Sequence, residues 1–460
     1  MRFAPPPLVI AEDEGFEDAK DIFKLKDLGQ GMTNLISNFD DPMVIAFNGQ
    51  WGSGKSTFLK MWRGELKKEG YPVIYFDAFE NDYVQDAFAV LVREIVQIVD
   101  VARGPATKQI ENFKAKALGL RKLLLRSGAK IATKVVIRTA TAGIGNEKDV
   151  TDAISEAVDE AGEVAADYFD EILNQPKKQK ETVEAFRAAL SELPGLLAPA
   201  SEGENQKPLI FIIDELDRCK PLFALELLER IKHFMSVPNV HFVLGVHLSQ
   251  LQNSVKAAYG SEIDASTYLQ KFINLTIAHA DVGRDLQQRQ ISKYIMYLRG
   301  ALSFKPDDHE TLDGTCEFLQ RVAEHHSMGL RTVERVFSHL AVYLAFTEKN
   351  YLRPPPIVAG LCVLKAVYPE LFIRAKKDQL QYEDVEKIFG FDTASVAEGD
   401  HMFERQRMWW QYCLMPEISE EVKDLSRHLN RYNLYVQSFG DRRRVLSLVA
   451  NQIIDRLKVQ

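Results

Sequence analysis

A glycine-rich segment near the N-terminus has the residue types and spacing needed to bind a polyphosphate. Residues 49–56 read Gly-Gln-Trp-Gly-Ser-Gly-Lys-Ser and match the pattern G-x-x-x-x-G-K-[ST]. Glycines here let successive backbone N–H groups turn inward around an anion. Lys55 would reach the β- and γ-phosphates of a nucleotide, and the Ser56 hydroxyl would bind Mg²⁺. We expect nucleotide contacts from Gly49, Gln50, Trp51, Gly52, Ser53, Gly54, Lys55, Ser56 and Thr57.

Two acidic residues follow an apolar run later in the chain. Residues 209–213 read Leu-Ile-Phe-Ile-Ile, and Asp214 and Glu215 come directly after them. Asp214 would hold Mg²⁺, directly or through water. Glu215 would orient and deprotonate an attacking water, which favours hydrolysis over transfer to a bulky acceptor. We expect the two acids on a strand adjacent to the one that leads into the phosphate-binding loop.

Strands and helices alternate around these motifs. Short apolar runs predict buried strands over residues 43–47, 71–76, 208–213 and 241–246. Helical spacing of apolar residues predicts helices over residues 27–39, 57–69, 88–101 and 222–235. This alternation predicts an α/β fold of three layers, with a parallel sheet between helices. The first 20 residues show no such pattern, and we expect them to form a loose arm.

The remaining segments are predicted to be helical. Residues 104–206 interrupt the nucleotide-binding core, whose two parts are residues 1–103 and 207–280. A helical lid is expected over 281–353 and a C-terminal helical subdomain over 354–460, because Pro354 opens a run of three prolines.

The insertion carries a basic block over residues 103–138 and an acidic block over residues 147–171. The two blocks can pair as an antiparallel helical hairpin, or the basic helix can dock on a partner or a membrane surface. Pairing would leave little free charge, so docking to a membrane surface is disfavoured.

Overall composition narrows the functional classes. The net charge is −8, which argues against non-specific binding of nucleic acid over the whole surface. It does not exclude a local basic groove that binds nucleic acid. Four scattered cysteines form no CxxC pair and are typical of free thiols in a reducing compartment. The sequence shows neither a signal-peptide pattern nor an apolar stretch of about 20 residues, so we expect a cytoplasmic protein.

Several motifs together resemble the KAP family of P-loop NTPases. The most specific is Asp-Glu-Leu-Asp-Arg-Cys-Lys-Pro over residues 214–221, which is similar to the family's extended acidic motif. Further similar stretches are Gln50-Trp51, Phe76-Asp-Ala-Phe79, Tyr268 to Phe272 and Leu330 to Arg335. The resemblance spans about residues 20–345 and implies an ATPase of the additional-strand class with a helical lid. Bacterial members are associated with phage exclusion and defence, and many carry transmembrane helices in the insertion, whereas this chain has none.

The resemblance also directs attention to polar residues beyond the two main motifs. The family often has an acid at the end of the fourth strand, where this chain has His247. His247 could contact the γ-phosphate or the attacking water, or it could be a neutral structural residue. Arg331 and Arg335 lie one helical turn apart, so either could reach the γ-phosphate from the lid or from a neighbouring subunit. Arg218 could shape the loop after Glu215 or act across a subunit interface.

These observations favour an ATP-hydrolysing switch or motor that uses Mg²⁺ and acts with protein partners or as a homo-oligomer. ATP is preferred over GTP because no Asn-Lys-x-Asp motif is present. One alternative is a nucleotide-gated scaffold that hydrolyses almost nothing, which His247 in place of an acid keeps open. A kinase is a third possibility, although Glu215 would activate water wastefully in such an enzyme.

Overall fold

A computed structural model of the protein describes residues 2–6, 8–39, 41–84, 93–96, 111–113, 115–116, 162–198, 205–232, 236–279, 284–325, 328–347, 353–392, 401–420, 422 and 442–451. The strands are β1 (Val44–Asn48), β2 (Val73–Asp77), β3 (Leu209–Asp214), β4 (Val240–Val246) and β5 (Leu275–Ala278). The helices of the nucleotide-binding core and insertion are α1 (Lys26–Ser37), α2 (Lys55–Lys68), α3 (Gly162–Leu197), α4 (Pro221–Lys232), α5 (Leu248–Tyr259) and α6 (Ala265–Leu269). The later helices are α7 (Arg284–Ala301), α8 (His309–His325), α9 (Leu330–Phe346), α10 (Pro355–Val367), α11 (Pro369–Lys376), α12 (Tyr382–Glu386), α13 (His401–Leu414) and α14 (Arg444–Val449).

The described strands form one parallel sheet in the order β2-β3-β4-β1-β5. The predicted strands and the α/β fold class are confirmed. The expectation that the two acids follow a strand adjacent to the phosphate-loop strand was wrong. In the sheet, β4 separates the phosphate-loop strand β1 from the acid-bearing strand β3. A sequence shows the order of strands along the chain, whereas neighbours in a sheet are chosen by packing. The edge strand β5 escaped prediction because its side chains are mostly exposed and form no long apolar run.

Alternate side chains of the central strands enter hydrophobic cores on opposite faces of the sheet, as strand geometry requires. On one face, Ile45 and Phe47 pack with Phe58 and Trp62 of α2. On the other face, strand residues such as Phe211 pack with α4, α5 and the buried side of α3. Burial on both faces explains why β1, β3 and β4 are continuous apolar runs without alternation.

The N-terminal segment packs on the core, so the expectation of a loose arm was wrong. Phe16 is buried against Phe58, with ring centroids 5.4 Å apart. The Asp21 carboxylate accepts the backbone N–H of Leu25 at 2.9 Å and so ties the segment to the start of α1. The chain crosses α2 at Gly64, where any Cβ would lie 2.1 Å from the Glu14 carbonyl oxygen. Isolated contacts of this kind leave no periodic pattern in a sequence.

The helices from α7 onward share one hydrophobic core. Trp410 of α13 fills space beside Gly360 of α10, where a Cβ would meet its ring at 2.3 Å. A buried ion pair between Asp308 and Arg353, at 2.7 Å, joins the turn before α8 to the segment before α10. The five-part division of the chain remains a proposal, and residues on both sides of residue 354 contribute to this core.

The insertion is described mainly through α3, which is one long helix. Its C-terminal part packs Phe186, Leu190 and Leu193 into the core on one face of the sheet. Most of the basic block and part of the acidic block lie outside the described residues, as does most of the predicted helix over 88–101. Within the described part of the chain, none of the helices combines the length and apolar character needed to cross a membrane.

Candidate active site

The phosphate-binding loop joins β1 to α2, as its sequence pattern predicts. Gly52 and Gly54 have positive φ angles of 76° and 95°, a backbone conformation that is strained for residues with a side chain. Gly54 is also the N-cap residue, directly before Lys55 at the start of α2, and the free N–H groups of the first turn point out of the helix at this end. The loop backbone therefore offers donors together with the positive end of a helix, which suits an anion.

Lys55 lies inside this loop and is only 7% exposed. Its Nζ donates to the carbonyl oxygens of Gly49 at 2.5 Å and Gln50 at 3.1 Å. Burial lowers the pKa of the ammonium group, and the carboxylates of Asp217 and Asp214 act in the opposite direction. The cation is thus held at the centre of the loop, where phosphate oxygens would approach it.

Asp214 ends β3 with its carboxylate fully buried. The Tyr75 hydroxyl donates to its Oδ2 at 2.7 Å, and the Glu215 backbone N–H donates to its Oδ1 at 2.8 Å. Burial raises the pKa of Asp214, and the hydrogen bonds from Tyr75 and Ser56 partly offset this effect. Gly245 lies opposite on β4, where a Cβ would be only 2.3 Å from Oδ1. The position of the Asp214 carboxylate therefore requires a glycine at residue 245 of the neighbouring strand.

Glu215 follows in a left-handed conformation with a φ of 57°, which is uncommon for a residue with a side chain. Its Oε1 accepts the Ser56 hydroxyl at 3.3 Å, and its Oε2 accepts the Arg218 guanidinium at 2.7 Å. Burial raises the pKa of Glu215, while the charge of Arg218 lowers it. The structure therefore brings the two sequence motifs into contact, with Arg218 engaged on the candidate base.

A cavity of about 440 Å³, called here the larger cavity, opens beside these groups. Among the predicted site residues, those that line it are Gln50, Gly52, Gly54, Lys55, Ser56, Thr57, Glu215 and Arg331. Arg331 of α9 lies across Gly52, where a Cβ would meet the arginine side chain at 3.1 Å. Arg335, one turn further along α9, is exposed and is not among the lining residues. Of these two arginines, α9 thus brings Arg331 alone to the larger cavity.

A smaller cavity of about 260 Å³ lies against another side of the loop and is lined by Gly49, Gln50, Trp51, Ser53 and His247. The His247 ring meets Trp51 edge-on, with centroids 5.9 Å apart. Its Nε2 hydrogen-bonds the Ser249 hydroxyl at 3.1 Å, whereas Nδ1 has no partner among the described residues. Burial lowers the pKa of His247, and the charge of Lys55 lowers it further. The structure thus places His247 beside the loop but outside the larger cavity.

Sequence reasoning missed His279, which supports the loop from behind. His279 follows β5, is 2% exposed, and its Nε2 donates to the Ser53 carbonyl oxygen at 3.0 Å. Burial lowers its pKa to about 4, so the ring is neutral and packs between Phe47 and Phe58. A lone histidine after a weak edge strand gives no signal of this role. Tyr75 and Gly245 were missed as well, although a glycine inside an apolar strand does mark a close approach.

A second link ties the phosphate-binding loop to the acidic motif. The Trp51 indole N–H donates to the Asp217 carboxylate, and Asp217 is buried in the short turn after Glu215. The charge of Asp217 also opposes the lowering of the Lys55 pKa by burial. The tryptophan in the loop and the second aspartate of the extended acidic motif therefore form one contact.

No cluster of three or more His, Cys, Asp or Glu side chains among the described residues could hold a metal ion by itself. A magnesium ion, however, is commonly bound through one or two protein ligands together with phosphate oxygens. The Ser56 hydroxyl donates to Glu215, the residue after Asp214, and is near enough to Asp214 to lower the pKa of that carboxyl, so the two oxygens lie close together beside the loop. Their chemistry and proximity fit Mg²⁺ bound jointly with a nucleotide.

A phosphate-binding loop after an interior strand of a parallel sheet, with an extra strand between that strand and the acid-bearing strand, defines a P-loop NTPase of the additional-strand class. The chain belongs to the KAP family, because the profile described as "KAP family P-loop domain" matches residues 30–345. The resemblance found in the sequence is thereby confirmed, and nucleotide binding is supported.

The chain was also compared with curated proteins and with solved structures. No curated protein matches the chain. A structure of the Aeropyrum pernix ORC2 protein in ADPNP–ADP complexes aligns over 98% of this chain and 96% of that chain, with 11% identity and a TM-score of 0.34.

Proposed function

We propose that the protein binds Mg²⁺–ATP in the larger cavity, hydrolyses it, and uses the reaction as a switch or motor acting on a partner protein. The observation that carries the proposal is the contact of Ser56, at the start of α2, with Glu215, directly after β3. This contact joins the phosphate-binding loop and its buried ammonium group to Glu215 at one cavity, and the Asp214 carboxylate is buried next to Glu215 without lining the cavity. Such a group of side chains has the components that phosphoryl transfer to water requires.

In this proposal each side chain has a defined task. Lys55 and the loop N–H groups hold the β- and γ-phosphates, and Arg331 reaches the γ-phosphate from the lid. Ser56 and Asp214 would hold Mg²⁺, which supplies charge neutralisation and alignment of the phosphate oxygens when bound. Glu215 accepts a proton from the attacking water, and its raised pKa makes it a stronger base than an exposed carboxylate.

Contacts in the structure support particular roles for two residues whose roles the sequence left open. The edge contact of His247 with Trp51 and its position in the smaller cavity support a structural role over a contact with the γ-phosphate. Arg335 is exposed outside the larger cavity, which supports a contact with a neighbouring subunit or partner protein.

The core and the lid both line the larger cavity, so a bound nucleotide would bridge them and favour lid closure. We place this switch in a multi-protein system, such as the anti-phage defence with which the family is associated.

Two measurements test the proposal. Calorimetric titration with Mg²⁺–ATP should give binding heat that Lys55→Ala abolishes. Phosphate release should fall about 10²- to 10⁴-fold in Glu215→Gln, because the general base is lost while binding is kept. Glu262→Gln, an exposed residue away from the site, is the matched control and should behave as wild type. Unchanged phosphate release in Glu215→Gln would remove Glu215 from the role of base.

A specific observation favours a second candidate, a nucleotide-gated scaffold that hydrolyses very little. The Glu215 carboxylate is engaged by Arg218 at 2.7 Å, and a base held in an ion pair is less available to water. On this view Arg218→Ala would turn over ATP faster than the unchanged protein. In a true hydrolase, where Arg218 positions Glu215, the same variant would be slower. Multiple-turnover phosphate release with and without candidate partner proteins separates the two.

A further inference from the structure

Tyr75 lies on β2, an edge strand of the described sheet, and no step of the proposed hydrolysis uses it. β2 pairs with β3 so that Tyr75 is opposite Ile212 and Asp77 is opposite Asp214. Paired residues on neighbouring strands share a face of the sheet, and so do residues two positions apart on one strand. The side chains of Tyr75 and Asp214 therefore both lie on the face that α2 covers. The pairing places a phenol diagonally across from a candidate magnesium ligand.

The Tyr75 hydroxyl and one backbone group hold the Asp214 carboxylate. Asp214 is fully buried, and a buried carboxylate is costly unless hydrogen bonds satisfy its oxygens. Tyr75 donates to Oδ2 at 2.7 Å, and the Glu215 backbone N–H donates to Oδ1 at 2.8 Å. One donor on each oxygen fixes the rotation of the carboxyl group. Each oxygen of an ionised carboxylate has two lone-pair sites, so these two donors leave one site on each oxygen for a further partner.

The ring of Tyr75 is itself held by α2, the helix that carries Ser56. The Arg63 guanidinium carbon lies 5.2 Å from the ring centroid and the Lys60 Nζ lies 5.7 Å from it, and such cations are attracted to the face of an aromatic ring. Tyr75 thus contacts α2 through its ring and Asp214 through its hydroxyl. Ser56 and Asp214 belong to different elements, and Tyr75 ties these two elements together beside the candidate magnesium site.

We infer that Tyr75 is a positioning residue for the candidate magnesium site, and that its hydroxyl keeps the Asp214 carboxylate in place relative to Ser56. The inference rests on the proposed function, because the position of Asp214 matters to a metal only if Mg²⁺ binds there with ATP. Mg²⁺ demands near-ideal octahedral geometry, so it tolerates little displacement of a ligand. Losing a hydrogen bond to a metal-binding carboxylate typically costs about 10- to 100-fold in metal affinity. Tyr75 does not line the larger cavity, so this effect would pass through Asp214.

The test measures how much Mg²⁺ strengthens the binding of ATP. Calorimetric titrations with ATP are made in Mg²⁺ and in EDTA, on the full chain and on Tyr75→Phe, which keeps the ring and loses the hydroxyl. The gain in ATP affinity due to Mg²⁺ should fall roughly 10- to 100-fold in Tyr75→Phe, while the affinity in EDTA stays unchanged. Tyr71→Phe is the matched control, because its hydroxyl hydrogen-bonds Ser37 at 2.6 Å instead of Asp214. This control should keep the full gain.

Two further readouts separate positioning from general support of the fold. In an Asp214→Ala background, where the gain is already reduced, Tyr75→Phe should change it no further, because the Tyr75 hydroxyl acts through the missing carboxylate. Turnover of Tyr75→Phe should need roughly 10- to 100-fold more Mg²⁺ for its half-maximal rate, and kcat at saturating Mg²⁺ should return close to that of wild type. A residue that supported only the fold would not give a defect that excess magnesium corrects.

The outcomes keep this inference apart from the proposed function. An unchanged gain in Tyr75→Phe, or the same loss in Tyr71→Phe, would overturn the positioning role and leave the nucleotide site intact. A fall in ATP affinity in EDTA as large as the fall in Mg²⁺, or a further loss of the gain in the Asp214→Ala background, would overturn it as well. ATP binding by the unchanged protein without any gain from Mg²⁺ would overturn the magnesium assignment and this inference, and leave nucleotide binding standing. Failure of the unchanged protein to bind ATP in either buffer would overturn both proposals.

Discussion

The Ser56 hydroxyl lies 3.3 Å from the Glu215 carboxylate, although 159 positions separate the two residues along the chain. Ser56 belongs to the first turn of α2, and Glu215 follows β3, which is two strands away from β1 in the sheet. Strands are spaced by about 4.8 Å, so the loop after β1 must reach across the end of β4 to make the contact. Gly245 near the end of β4 leaves the room that the buried Asp214 needs there.

We expect Ser56 to control the requirement for magnesium. Ser56→Ala removes a hydroxyl that would bind the ion, so half-maximal ATP turnover should need on the order of tenfold more Mg²⁺. Ser56→Thr keeps the hydroxyl and should stay close to wild type, as the sequence pattern itself allows. Magnesium titrations of phosphate release at saturating ATP make the measurement. An alanine variant with an unchanged magnesium requirement would show that the hydroxyl serves only Glu215.

The ion pair between Arg218 and Glu215 should appear in the pH dependence of catalysis. The guanidinium lowers the pKa of Glu215 against the raising effect of burial, so Arg218→Ala should raise that pKa further. A base must be deprotonated to act, and therefore the acid limb of kcat/KM should move to higher pH. Arg218→Lys should restore part of the shift because it keeps the charge.

Arg230→Ala breaks a partly exposed ion pair with Glu226 on α4, at 3.5 Å, and is the control for charge removal alone. Its pH profile should match that of wild type. An acid limb that stays in place in Arg218→Ala, or that moves to lower pH, contradicts the assignment of Glu215 as the base.

The sequence identified the candidate side chains of the site more readily than the residues that hold them in place. Lys55, Ser56, Asp214 and Glu215 were identifiable because their spacing after apolar runs is dictated by the loop and strand that carry them. His279 and Tyr75 were not, because each acts through one contact made across the fold. Similarly, the sequence predicts a loose arm for the N-terminal segment, because its anchors, such as Phe16 and Asp21, are single residues without periodicity.

Gly245 should be intolerant of even the smallest side chain. In Gly245→Ala the new Cβ would lie 2.3 Å from the Asp214 Oδ1 and 2.6 Å from a methyl group of Leu59. Both neighbours belong to packed elements, so we expect a loss of about 1–3 kcal/mol in the free energy of unfolding. Gly300→Ala on α7 is the control, since a Cβ added at that position would point into open space.

Chemical denaturation of both glycine variants provides the comparison. Gly300→Ala should be neutral or more stable by up to about 1 kcal/mol, because alanine favours a helix over glycine. Equal stability of Gly245→Ala and wild type would mean that Asp214 can move away from β4, and its fixed position would then lose its support.

His279 should make folding stability depend on pH in the acid range. Burial lowers its pKa from 6.5 to about 4, so between these values the unfolded chain binds more protons than the folded one. The free energy of unfolding therefore rises with pH across this window, and stability is lost as the pH falls. At about pH 5, protonation of this histidine in the unfolded chain lowers the free energy of unfolding by roughly 2 kcal/mol relative to neutral pH. His279→Gln can keep a donor to the Ser53 carbonyl but does not titrate. Denaturation at about pH 5 and about pH 7.5 should show wild type losing more stability than this variant on acidification. If the two proteins lose the same amount, His279 is already free to protonate in the folded state and does not support the loop as a buried neutral ring.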